Sequence, residues 1–324
     1  MPMHLLGHVD LPEHRKSGGF DHAAVHAASG HVYVAHTAND AIDVFDPVAR
    51  RHLFSVPNLS AVAGALVSDA SELVFTSNRG ENTIGVFAPG PAPQVTKIAV
   101  GVRPNGLAYD AKHRLVLAAN VGDPTVPGTC TLSMVDLDAG AMRASIEVPG
   151  RTRWTVFDAD SGNFYVNIMH PSQIVVVDAR TPDQVTRTMP VPADGAHGLD
   201  FDPATGRLFC ACDAGVLVTL DAGTGKVLNE GKLSGVPDVV WFNAKRRQLY
   251  VAIGDPGVID VFDTRSMQRL GRVVTERGAH TTAFPPSADS LIAFLPATHR
   301  AAIYRLDGAS TGPASPSTEE ASHG

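Results

Sequence analysis

Short β-rich runs that close on an acid recur along the chain. They are Ile42-Asp43-Val44-Phe45-Asp46, Leu132-Ser133-Met134-Val135-Asp136, Ile174-Val175-Val176-Val177-Asp178, Leu217-Val218-Thr219-Leu220-Asp221 and Ile259-Asp260-Val261-Phe262-Asp263. Ile84-Gly85-Val86-Phe87-Ala88 and Ala302-Ile303-Tyr304-Arg305 stand in the same phase without the acid. The period is about 42 residues, the length of one four-stranded propeller repeat. The surrounding pattern is constant. A small-residue lead-in such as Asn105-Gly106-Leu107-Ala108 opens each repeat, and a turn such as Pro203-Ala204-Thr205-Gly206 follows. Then come a β-branched and aromatic strand such as Gln248-Leu249-Tyr250-Val251-Ala252, the acid-terminated strand, and an outer strand such as Val227-Leu228-Asn229-Glu230.

The repeats also decide how the ring closes. Six are complete, while the seventh, from Gly278 to Asp307, lacks its fourth strand. The chain opens on Leu5-Leu6-Gly7-His8-Val9-Asp10-Leu11, which matches the missing piece. The pattern therefore predicts an all-β, seven-bladed β-propeller over residues 1–307, with four-stranded antiparallel blades and the N-terminal strand completing the last one. Residues 308–324 are Ser, Thr, Pro, Gly and Glu-rich and are expected to be a disordered tail.

These repeats resemble the YVTN-type propeller repeats of YncE-like proteins. Val102-Arg103-Pro104-Asn105-Gly106-Leu107-Ala108 carries the Pro-x-Gly lead-in, and His31-Val32-Tyr33-Val34-Ala35-His36 the second strand. The resemblance spans nearly the whole chain and implies the propeller fold. Related propellers, the streptogramin lyases and the regucalcin-type gluconolactonases, are metal-dependent enzymes. Neither enzyme's motif is matched here, so no catalytic residue is carried over from them.

Composition narrows the partners. The 324 residues are 44% hydrophobic and 18% charged with a formal charge of -7, a globular composition without the basic face that nucleic acid or anionic membrane requires. Lys245-Arg246-Arg247 is the compact basic run and reads as a solvated turn. Cys210 and Cys212, in one strand, are expected to face opposite ways and to act, with Cys130, as small hydrophobes. No apolar run is long enough to span a bilayer, and residues Met1 to Asp10 do not read as a signal peptide. A cytoplasmic location is expected, or a periplasmic one if a leader was removed. Phosphate-cradling, nucleophile-elbow and His-Glu-x-x-His motifs are absent.

Candidate chemistry falls on the first strands, which line a propeller's central channel. Aligning the lead-ins places Asp21, Ala63, Asn105, Arg153, His197, Asp238 and His280 at equivalent channel-mouth positions. His197, Asp238, His280 and Asp21 come from consecutive blades and form a candidate arc for a divalent metal: zinc, manganese, iron or nickel. Asp238 or Asp21 would bind the ion or act as general base, and Arg153 would hold an anionic group. Asn105, Arg153, His36, His170 and Arg79 are the expected substrate contacts. His22 should point away from the channel by strand alternation, and Trp154 and Trp241 should pack between blades. The functional expectation is a metal-assisted small-molecule enzyme, a lactonase-like hydrolase ahead of a lyase. The alternative is a non-catalytic propeller that binds a ligand or docks a protein partner.

Overall fold

The recurring acid shapes the turn that follows the third strand of a blade. Asp46 Oδ1 accepts the backbone N–H groups of Val48 and Ala49 at 2.8 and 2.9 Å, and Asp136 does the same for Asp138 and Ala139. Asp263 repeats the motif with Arg265 and Ser266. A side chain that replaces a backbone partner in this way fixes the turn and hence the hairpin register. The acid-terminated period is therefore a period of hairpins.

The computed structural model describes residues 3–285 and 287–306. These form seven four-stranded sheets, each antiparallel and in simple up-and-down order. Blade one runs over 20–56, blade two over 62–99, blade three over 104–147, blade four over 152–190, blade five over 196–232 and blade six over 236–274. Blade seven takes its three inner strands from Thr282–Ala283, Ser290–Leu295 and Arg300–Leu306, and its outer strand is Met3–Asp10. The closure expected from the repeat count is thus the observed one. Met3 opposes Leu306 and Asp10 opposes Arg300, with one irregularity between Leu5 and Gly7. Arg300 Nε also donates to Asp10 Oδ1 at 2.7 Å. The tail expected to be disordered lies outside the described residues.

Each pair of neighbouring blades shares one apolar cluster. Leu117, Met134, Phe164 and Val175 join blades three and four, and Phe209, Leu217, Leu249 and Val251 join five and six. The closing seam is no weaker in kind: Val9, Phe20, Val34, Phe45, Ile292 and Phe294 join blades seven and one. Burying each such side chain contributes about 1.5–3 kcal/mol, so the ring is held by interfaces between sheets rather than by any central core. The inner strands follow one another around a channel and the last contacts the first.

The cysteine pair differs from expectation. Residues two apart in a strand share a face, and Cys210 Sγ lies 3.9 Å from Cys212 Sγ, both fully buried. The neighbouring Cys212 sulfur and then burial push the Cys210 thiol well up, so Cys210 packs as a neutral thiol.

Candidate functional site

Every first strand of blades one to six breaks register where it enters the channel. The shift falls between Phe20 and Ala23, Val62 and Gly64, Pro104 and Leu107, Thr152 and Thr155, and Ala196 and Gly198, with two further shifts between Val236 and Val240. Such bulges re-aim side chains. They defeat the simple alternation that would send His22 outward. Asp21 and His22 both line the channel mouth, as do Arg153 and Trp154.

Where the second residue of the bulge is glycine, the next blade's backbone fills the space. A Cβ on Gly106 would lie 2.7 Å from the Arg153 carbonyl oxygen, and one on Gly198 would lie 2.1 Å from that of Asp238. Blades one and four carry large rings at this position instead. His22 and Trp154 meet with ring centroids 4.1 Å apart. They separate a polar mouth of about 140 Å³ from an apolar chamber of about 360 Å³, and both residues line both spaces.

Asp21, Asn105, Arg153, His197 and Asp238 surround the mouth, so five of the seven aligned positions converge. Arg79, an expected contact, joins them, and its Nη2 donates to Asn105 Oδ1 at 2.6 Å and lies 3.4 Å from Asp21 Oδ2. Arg151 completes the wall and was not anticipated; its signal is only that it stands two residues before Arg153, at the turn. Ala63 is fully buried and contributes no chemistry. His170 is exposed on its loop and outside the wall. His36 is fully buried at the seam of blades one and seven, where its Nδ1 bonds Asp43 Oδ2 at 2.6 Å.

The charged groups are interlocked. His197 Nδ1 lies 2.6 Å from Asp213 Oδ1, and Arg153 Nη1 lies 3.2 Å from His197 Nε2. Because a guanidinium can only donate, Nε2 is the acceptor and Nδ1–H donates to Asp213. Asp238 Oδ1 approaches the same Nε2 at 3.4 Å. Burial opposes ionisation of Asp238, but His197, His280, His22 and Arg153 outweigh it and hold the carboxyl below its ordinary range. Burial likewise opposes charge on His280. Asp238, Asp21 and the carbonyls of Gly278 and Phe20 overcome it and raise that pKa. His22 goes the other way, lowered chiefly by burial.

The arc is not assembled around an ion site, and its members make other contacts. A metal ligand must offer a lone pair. His197 Nε2 accepts from Arg153 Nη1, and His280 donates Nδ1–H to Gly278 O at 2.7 Å. Among the described residues no group of three or more His, Cys, Asp or Glu has the placement of a formed metal site. Asp238 and Asp21 serve as charge partners of histidine and arginine.

The arginines are under-used. Arg79 Nε and Arg153 Nε are buried without a hydrogen-bond partner. The Arg151 side chain makes no hydrogen bond or ion pair among the described residues. Burial and then Arg153, Arg103 and Arg79 lower its pKa, as crowded like charges do.

The chamber beyond Trp154 is walled by residues such as Ala24, Leu107, Val156 and Trp241. Trp241 lines it and donates Nε1–H to the Thr282 carbonyl at 2.8 Å, so it both packs between blades and faces the channel. Its one acid is Asp200, whose pKa burial raises to about 7.

No family model matches the chain, and no curated protein sequence does. The resemblance to YVTN-type repeats therefore rests on the repeat pattern alone. A chain from "Crystal Structure of Mitotic Checkpoint Complex" is similar in structure, with a TM-score of 0.79 and 11% identity over 93% of this chain and 91% of that one. At that identity the likeness shows the β-propeller fold and nothing of the site. No helix among the described residues is long and apolar enough to cross a membrane.

Proposed function

We propose that the channel mouth binds a small anionic molecule bearing a carboxylate or phosphate group. The observation that supports this is the unsatisfied donor set: the buried Nε groups of Arg79 and Arg153, and Arg151 beside them. Buried donors without partners cost stability, and a planar guanidinium fork matches a carboxylate or phosphate. The three arginines outnumber Asp21 and Asp238 in the wall. A space of about 140 Å³ suits the charged head of a small ligand, and an apolar remainder would need the His22–Trp154 contact to open.

The test is calorimetric titration with a panel of small carboxylates and phosphate esters, repeated on Arg151→Ala. Arg151 is exposed at a turn, so its truncation spares the fold. At least one anion should bind the parent, and the variant should lose about tenfold or more, the scale of a charge-assisted hydrogen bond. A parent that binds no anion, or a variant that binds as well, would refute the reading.

The His197–Asp213 pair favours a second reading, catalysis on that anion. With Nδ1–H on Asp213, His197 Nε2 can accept a proton during hydrolysis or elimination once the bound anion has drawn Arg153 away from it. Under it, the hydrolase or lyase chemistry expected from the sequence would run through His197 rather than a metal-bound water. Loss of turnover with retained anion binding in His197→Gln is the expected result. The remaining alternative, a disc that docks a protein, draws support only from the shared fold with a chain of a protein complex.

A further inference from the structure

Three histidines meet outside the channel, at the seam that closes the ring. His14 lies on the segment between the closing strand and blade one, His36 ends blade one's second strand, and His299 sits in blade seven's turn. The His14 ring centroid is 4.9 Å from that of His36 and 4.3 Å from that of His299. Each ring holds a buried nitrogen without a hydrogen-bond partner: His14 Nε2, His36 Nε2 and His299 Nδ1.

We propose that His14, His36 and His299 bind a divalent transition-metal ion of the zinc class, which clasps the closing segment to blades one and seven. Three separate elements each bring an imidazole with an unpartnered nitrogen to one cluster, with the His14 ring between the other two. His36 is already set as a ligand: with Nδ1 bonded to Asp43 at 2.6 Å, its Nε2 is left with the lone pair. Asp43 is fixed in turn by the Ser55 hydroxyl at 2.6 Å. This is the carboxylate–histidine relay that orients metal-bound imidazoles.

Spacing supports the same assignment. Three imidazoles around one tetrahedral ion, at metal–nitrogen distances of about 2.0–2.1 Å, have ring centres about 5 Å apart. The rings here stand edge to face, with interplanar angles of 68° and 81°, and so do not yet form a finished site. The His14–His36 separation of 4.9 Å is near that value and the His14–His299 separation of 4.3 Å is shorter, so binding requires the rings to rotate and His299 to move outward. His14 and His299 are both partly exposed, so an ion can enter from solvent and a water can complete its shell.

The experiment uses tag-free full chain, stripped with chelator and titrated with cobalt(II). The parent should take up one equivalent with the visible absorption of a tetrahedral imidazole site, and zinc(II) should displace it and raise the melting temperature. His299→Asn is the decisive variant, because φ at that position is 54° and asparagine tolerates the left-handed region. It and His14→Gln should each weaken cobalt binding at least tenfold and abolish the zinc-dependent rise in melting temperature. His197→Gln, in the channel, should leave both signals intact. A parent without the cobalt band overturns the proposal, as does equal binding by His299→Asn and His14→Gln. Loss of the band in His197→Gln alone would also overturn it, by placing the ion in the channel.

Discussion

His22 and Trp154 belong to blades one and four, yet their rings lie 4.1 Å apart across the channel. Two bulges turn them inward, and together they bar the passage between the polar mouth and the apolar chamber. Trp154→Ala should merge the two spaces. It should cost about 3 kcal/mol in urea unfolding, the low end for a buried tryptophan, because one face of the ring is open. His22 should then gain water and its pKa should rise toward 6.5, since burial is the main cause of its lowering. An NMR titration in which His22 stays depressed would show that Trp154 does not shield it.

The fold was legible because hairpin acids, turn glycines and β-branched strands repeat at one period, and because a missing strand at one end is matched by a spare at the other. The aligned lead-ins also located the mouth, since five of those side chains do converge. What alignment could not supply was direction. The bulge that turns His22 inward leaves no mark in composition, and strand alternation gave the wrong face for it. The contacts of the arc were hidden for a related reason: the alignment sets His197 and His280 among carboxylates, but does not show that Arg153 faces His197 Nε2 or that the Gly278 carbonyl faces His280 Nδ1. His14 escaped notice because it sits in a connector outside the repeat.

The glycines beside the ring residues should be intolerant of any side chain. Gly198→Ala would set a methyl 2.1 Å from the Asp238 carbonyl oxygen, forcing blades five and six apart. Overpacking of this kind costs about 1–3 kcal/mol or more. Gly231→Ala, whose methyl would meet only a phenylalanine edge at 3.9 Å, is the control and should change stability little. Equal melting temperatures for the two variants would contradict the close approach.

Removal of the first ten residues should strip the outer strand from blade seven. Arg300–Leu306 would then be an open edge, and the seam would lose Val9 from its cluster. An unpaired edge invites association between chains. The truncated protein should melt earlier and form larger species in size-exclusion chromatography, whereas a monomer of unchanged stability would mean that the closing strand contributes nothing.

Asp200 makes the pH dependence of stability testable at a single residue. One carboxylate oxygen accepts the Phe201 N–H at 2.8 Å and the other accepts the Phe242 N–H at 2.5 Å, so the side chain ties blade five to blade six. Burial raises its pKa to about 7, against the pull of those two N–H groups and with a further push from Asp202. In the unfolded chain the same acid titrates near 3.9. Between about pH 4 and pH 7 the unfolded state has released this proton while the folded state still holds it. Stability from this group is therefore fully present below pH 4 and is lost as pH rises to 7, by at most about 1.4 kcal/mol per pH unit for one proton. Asp200→Asn cannot titrate, and its amide leaves one of the two N–H groups facing a donor. The variant should be less stable than the parent near pH 4.5, and the gap should narrow by pH 7.5. Urea unfolding across that range checks this, and a gap that stays constant would show that Asp200 titrates as an ordinary surface acid.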